Sequence, residues 1–362
     1  MPAGRSGDTA CVSLDGWNHL RGRYQPRPWA PIIAPPLLFM MACMTPAKTL
    51  LKCLMYVAVA ASLLYFGLAF KRNVEGLPSI DWTSRTVLVG VLSCCTVVVT
   101  HFFGTHVWRF LMADQNHRVP MRLAMPVFFL SQLGKYLPGN VGQFLGRGVL
   151  ARSTGIPVGV AVGTAVFEGI WCLVISLTLT LLSTWVLYDL VTLQSVNSAF
   201  ASMAGCLLVL ALVLPWLSVK VFNTVLPTLS RRVGGGALLR LPRWRTALLV
   251  SLLILTNFML LGSVLKMQAE VFFSSPPVDW LSITLLFNSA WVAGYVVPGA
   301  PGGLGVREAM MVVLLTPLTG APIAAGLAVS MRLTSLLGDG LTILIGAISG
   351  RAQRLQIGLA AS

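Results

Sequence analysis

The chain has 362 residues, of which 56% are hydrophobic and only 10% charged, whereas a soluble domain carries about 25% charged residues. A chain this apolar cannot keep its surface wet, and it reads as an all-α, polytopic membrane protein. Its 26 Lys and Arg against 11 acids give +15, but the basic residues fall mostly between apolar runs, so the excess is topogenic rather than a nucleic-acid footprint. Seven cysteines with no CxxC pair argue against a disulfide framework and against a zinc site.

Residues 1–46 carry Arg5, Arg21, Arg23 and Arg27 among seven prolines with no clear period, which predicts a basic, floppy cytoplasmic extension. It lacks the apolar core and small-residue cleavage pattern of a signal peptide directly after its basic region. Met44 is an alternative start, since Met44-Thr-Pro-Ala-Lys-Thr leads straight into an apolar run. A membrane domain is expected over 47–350, with halves of about 47–188 and 199–350, and a short cytoplasmic tail over 351–362.

Crossing the hydrocarbon core takes about 20 apolar residues. Six stretches reach that length: 49–70, 85–108, 157–187, 200–222, 245–266 and 321–349. Two more, 121–153 and 280–316, are interrupted at Leu137-Pro-Gly-Asn-Val-Gly142 and Val297-Pro-Gly-Ala-Pro-Gly-Gly-Leu-Gly305. Proline removes a donor and glycine loosens the backbone, so each reads as a re-entrant hairpin of two half-helices. Trp82, Trp108, Trp185, Trp216, Trp244 and Trp280 fall near span ends, as an interfacial aromatic belt requires.

The segment before the first span and the loop holding Arg231, Arg232, Arg240 and Arg243 are basic, while 188–199 and 267–279 carry no Lys or Arg. Basic connections stay cytoplasmic, so both termini are expected inside; Lys71 and Arg72 in loop 71–84 fit this less well. Threaded through the list, this orientation gives the two halves opposite topology. They share an echo: Pro138-Gly139-x-x-Gly142 matches Pro298-Gly299-x-x-Gly302, and Gly155-Ile-Pro157 matches Gly320-Ala-Pro322. Paired Gly/Pro-interrupted segments at corresponding positions point to a transporter site at the interface of an inverted repeat. Chance recurrence of Pro-Gly turns in a glycine-rich chain is the bland alternative.

Charges inside apolar runs are costly and usually functional. Lys135, Arg147 and Arg152 lie in the first broken segment and Glu168 in the next span; Arg307 and Glu308 lie in the second, followed by Arg332 and Asp339. Free N–H groups around Gly139, Asn140 and Gly142 and around Gly302 and Gly303, at the starts of half-helices, together with these cations would favour an anion such as phosphate. Arg332 and Asp339 share a helix face two turns apart, and Glu168, at the equivalent place in the other half, is the expected partner of Arg332. Under the structural reading Arg147 and Arg307 snorkel to the interface and the Arg/Glu pairs only lock helices. For Arg152 the structural reading prevails. His101 and His106 are five residues apart, which does not put them on one face, so no metal pair is expected. No P-loop, GxSxG or HExxH motif is present.

The run Gly134–Arg147 (GKYLPGNVGQFLGR) followed by Pro298–Glu308 (PGAPGGLGVRE) resembles the transmembrane, flippase-like domain of the lysylphosphatidylglycerol synthase/flippase family, over about residues 45–350. The resemblance implies movement of a phospholipid or lipid-linked head group between leaflets. Bifunctional members continue into a soluble aminoacyltransferase domain, which this chain, ending at Ser362, is expected to lack. Gln143 stands where many relatives carry an acid, so a role for that acid is not carried over. The reading is thus a non-enzymatic, cofactor-free transporter of an anionic lipid in a bacterial-type inner membrane, as a homo-oligomer or beside envelope-biosynthesis enzymes. The alternatives are a membrane-embedded enzyme or accessory subunit of lipid or polyprenyl-linked glycan synthesis, and a small-anion transporter.

Overall fold

The computed structural model describes residues 46–76, 78–137, 142–152, 154–192, 219–233, 236, 238–297 and 300–361, with isolated positions between 209 and 217. Residues 1–51 and 52–362 form separate units; the expected extension 1–46 falls almost wholly outside the described residues, as does most of the expected span 200–222. Among the described residues all regular structure is helical: α1 (Pro46–Asn73), α2 (Ser84–Asp114), α3 (Met121–Ser131), α4 (Gly142–Arg152), α5 (Val158–Thr192), α6 (Pro227–Val233), α7 (Trp244–Phe272), α8 (Trp280–Val296), α9 (Val306–Thr319) and α10 (Ala321–Ala361).

Among the described residues four helices are long and apolar enough to cross a membrane: α2, α5 over Val158–Thr184, α7, and α10 over Ala321–Arg351. They coincide with four of the six stretches marked in the sequence; the 49–70 stretch lies inside the 28-residue α1. The chain is a multi-pass membrane protein. Local chemistry sets several of the boundaries. Thr83 accepts the Thr86 N–H at 3.3 Å to start α2, and Asp279 accepts the Ser282 N–H at 2.7 Å to start α8, so each side chain satisfies a donor the helix leaves orphaned.

Both interrupted stretches are broken. The first runs through α3, a 3₁₀ turn (Gln132–Tyr136) and then α4; the second runs through α8, a 3₁₀ turn (Pro301–Gly303) and α9. Leu137 and Val297, each followed by proline, take extended backbone angles with ψ of 145° and 110°. Clash with the proline ring disfavours helical ψ in the preceding residue. The four pieces have 11, 11, 17 and 14 residues, or about 17–26 Å at 1.5 Å per residue, short of the roughly 30 Å hydrocarbon core. Gly155 and Gly320, the glycines of the second echo, both take positive φ (77° and 82°) just before α5 and α10.

Among the described residues the core forms three apolar clusters. One joins α7 to α10 around Leu265, Leu286, Phe287 and Met311; a second joins α2, α5 and α7 around Trp171 and Phe258; the third packs α3 on α2 and α5 around Trp108, Phe128 and Phe129. Buried indoles are satisfied, Trp108 by Thr164 Oγ1 and Trp171 by Ser251 Oγ, both at 3.0 Å. Trp82, Trp244 and Trp280 are exposed, but Trp108 is fully buried and does not belong to an interfacial belt. Its position near a span end cannot distinguish a membrane-facing indole from one turned inward. The outward faces carry exposed Leu88, Val91, Leu92 and Val99 on α2 and Leu333, Leu337 and Leu344 on α10, the apolar surface a lipid-facing helix requires.

Candidate functional site

The two 3₁₀ turns meet. Lys135 and Tyr136 end the first, and a Cβ built on Gly302 in the second would lie 3.7 Å from Tyr136 Cε1 and 3.8 Å from both the Lys135 carbonyl oxygen and Arg332 Nη2. Gly302 has φ +57° and Gly303 φ +73°, a left-handed backbone that glycine adopts freely. Gly142 plays another part than expected. A Cβ on it would overlap the Gly134 backbone, and one on Gly134 would overlap that of Gly142. Its missing side chain lets the two arms of the first broken segment close on each other; it does not open a path to a ligand. Gly139 and Asn140 lie outside the described residues.

The expectation of free N–H groups at the second turn fails. The Gly303 N–H donates to the Ala300 carbonyl at 3.0 Å and the Leu304 N–H to Pro301 at 3.2 Å, while the Gly305 N–H donates to Glu308 Oε2 at 2.7 Å. Glu308 thus caps its own helix, and its carboxylate occupies the place an external anion would take at the start of α9. A glycine-rich turn in sequence does not reveal that its donors are already consumed within it. Donors for any ligand here would come from side chains.

Those side chains line a cavity of about 260 Å³ whose walls include Phe128, Phe144, Leu253, Phe287, Trp291 and Met331. Three carboxylates reach it or its edge, each paired. Glu168 on α5 receives Arg147 of α4 in a forked contact, Nη1 to Oε2 at 2.5 Å and Nη2 to Oε1 at 3.3 Å. Arg147 is 3% exposed and lies 4.0 Å above the Phe128 ring centroid, so it is held in the interior and does not snorkel. Glu308 Oε1 lies 3.4 Å from Arg332 Nη1, which also donates to the Gly302 carbonyl at 3.1 Å. The expected Arg332–Glu168 pair is therefore not formed. Equivalent positions in the two halves do not imply proximity; each pair instead joins a broken segment to the long helix that follows it, Arg147 of α4 to Glu168 of α5 and Glu308 of α9 to Arg332 of α10.

Asp339 is the third acid. Its Oδ1 accepts from His101 Nε2 on α2 at 2.7 Å, its Oδ2 lies 2.7 Å from Lys135 Nζ, and Tyr136 Oη also donates to Oδ2. The residue is 3% exposed. As the seven-residue spacing suggested, Asp339 and Arg332 sit on one side of α10, both lining the cavity, but they take different partners.

Arg307 is the exception among these cations. It lines the cavity, bonds Ser335 Oγ at 3.3 Å and stands 6.0 Å from the Phe287 ring centroid, with no carboxylate partner among the described residues. Lys135, Arg147, Arg307 and Arg332 against Glu168, Glu308 and Asp339 leave the site one positive charge in excess with His101 neutral. The structure therefore brings Lys135, Arg147, Glu168, Gly302, Gly303, Arg307, Glu308, Arg332 and Asp339 to one region. Sequence reasoning missed His101, Tyr136 and Ser335, and also Trp291 and Tyr295, which stack at 4.8 Å beside the cavity. A histidine near the middle of a span was the one signal available, and pairing it only with His106 hid its partner on another helix. Arg152 does not line the cavity.

A family model described as the lysylphosphatidylglycerol synthase TM region matches residues 54–342, most of the chain, and the protein belongs to that family. Comparison with curated proteins and with solved structures returns no significant match.

Proposed function

We propose that this member of the lysylphosphatidylglycerol synthase TM-region family is a flippase-like transporter that moves an anionic phospholipid or lipid-linked head group between leaflets without altering it covalently. The observation that carries the reading is Arg307. It is a cation without a carboxylate partner among the described residues, in a cavity walled by aromatic and aliphatic side chains. A phosphate there would neutralise the excess charge in a medium that water screens poorly, and its fork of donors suits phosphate oxygens. Apolar walls suit the glycerol and first methylenes of a lipid better than a fully hydrated inorganic anion.

In this reading the halves 47–188 and 199–350 form an inverted repeat, the broken segments are re-entrant, and the site sits where they meet. The matched positive-φ glycines before α5 and α10 and the two proline-terminated breaks support it. Lys- and Arg-rich connections place both termini on the cytoplasmic side of the plasma membrane, and the protein works as a homo-oligomer or beside enzymes of envelope synthesis.

The test is reconstitution into liposomes holding a trace of head-group-labelled phosphatidylglycerol, with an impermeant quencher added outside. Wild type should expose the inner-leaflet label with its mass unchanged, and Arg307→Gln should not. A covalently altered lipid would favour an enzyme, and equal rates for Arg307→Gln and wild type would remove Arg307 from the site.

A further inference from the structure

Asp339 has more donors than one carboxylate needs. His101 Nε2, Lys135 Nζ and Tyr136 Oη all converge on it, and His101 and Asp339 each lie within one turn of the midpoint of a membrane-crossing helix. Ionisable chains at such depth mark ion or proton pathways more often than packing. With the imidazole neutral, Asp339 and Lys135 balance each other. With the imidazole charged, Asp339 faces two cations and needs only one.

Resting on the reading that the cavity takes an anionic head group, we propose that His101 and Asp339 form a proton site, and that a proton arriving there releases Lys135 from Asp339 to the bound phosphate, so that anion and proton bind with positive coupling.

The steps balance. An ionised Asp339 can only accept, so Nε2 carries the hydrogen of neutral His101 and the incoming proton forms an N–H bond at Nδ1. No other bond is made, and the same proton leaves when the anion does. Lys135 is suited to change partners. It ends a 3₁₀ turn, its ammonium sits on a flexible stem, and the turn it closes abuts Gly302 beside Arg332. The other charges facing the cluster fix the sign of the coupling. Arg147 acts on His101 from α4, and Arg307 and Arg332 act on Lys135 from α9 and α10. Glu168 and Glu308 are already committed to Arg147 and Arg332. From α7 come only Asn257 and apolar side chains. A further proton in a cavity that already holds an uncompensated Arg307 is unfavourable until an anion enters, and by reciprocity the proton then favours the anion.

The experiment measures binding of a short-chain phosphatidylglycerol to the purified full chain in zwitterionic detergent between about pH 5.5 and 7.5, bracketing the ordinary imidazole pKa of about 6.5. Proton uptake is followed in weak buffer as the lipid is added. Affinity should rise as pH falls, by up to about tenfold per pH unit, the limit for one linked proton, with uptake of up to one proton per lipid. His101→Gln, which keeps a donor for Asp339, should flatten both. Lipid bound with equal affinity across the range and without proton uptake overturns the coupling while leaving the lipid reading intact. No binding at any pH overturns both. A slope that survives in His101→Gln overturns the assigned site. Should that variant fail to fold, the histidine imidazole NMR signals of wild type decide: no histidine gaining a proton on lipid addition overturns the proposal.

Discussion

Replacing Glu168 by Gln should destabilise the protein through Arg147. The arginine is 3% exposed, lies against Phe128 and Trp108, and among the described residues is ion-paired only with Glu168. Removing one partner of a buried pair typically costs about 3–5 kcal/mol, because the remaining charge is stranded. The Glu168 side chain is 15% exposed to the cavity, where water can partly solvate the guanidinium, so the lower figure, about 3 kcal/mol, applies. At about 2 °C per kcal/mol for a large chain, thermal unfolding in detergent should move down by roughly 6 °C. The double variant Arg147→Met/Glu168→Gln removes both charges and fills the space beside Phe128 with an apolar chain. It should be more stable than Glu168→Gln alone, since replacing a whole buried pair is often close to neutral. The double-mutant cycle isolates the pair from other effects of each change. Additive losses, or a Glu168→Gln melting point within a degree of wild type, would show that Arg147 does not depend on this carboxylate and would refute the reasoning.

At Gly302, where φ is +57° but a Cβ would meet only ordinary contacts, Val should cost at least about 1–2 kcal/mol in backbone strain, and Asn, which tolerates this conformation, should cost less; equal melting points for the two would contradict this. Arg332→Lys keeps a charge near Glu308 but loses the geometry that also reaches the Gly302 carbonyl, so liposome transport should fall by a larger factor than the folded fraction, and normal transport would leave Arg332 a structural role only. Gly142→Ala should prevent the first broken segment from closing on Gly134, which loss of a cooperative melting transition would register. Asp279→Ala removes the α8 cap, at about 1 kcal/mol. Hydrogen bonding to Ser282 holds the Asp279 carboxyl below its ordinary value, so the ionised cap stabilises above the unfolded-state pKa and the gain fades as pH falls through the folded one; wild type should therefore approach the variant in stability in acid.

Composition alone was enough to place this chain in the membrane, and 20-residue apolar runs were enough to find its long helices, because both follow from the hydrocarbon thickness. The two breaks were equally legible. Proline disfavours helical ψ in the residue before it, and Leu137 and Val297, where glycine follows the proline, take extended angles, whereas Pro126 and Pro317, without such a glycine, stay inside α3 and α9. Intramembrane charge also marked residues that the fold gathers, since Lys135, Arg147, Glu168, Arg307, Arg332 and Asp339 all line the cavity. Partnership was not legible. Whether Arg332 meets Glu168 or Glu308, whether Gly142 faces a ligand or Gly134, and whether Trp108 faces lipid or core depend on how helices distant in sequence are rotated against one another. Even the glycine-rich turn at 302–305 concealed the fate of its N–H groups, because Glu308 consumes one of them only when α9 begins at Val306. Only the tertiary structure put His101 against Asp339, from helices separated by most of the chain, since hydropathy records depth in a membrane and says nothing of direction around a helix.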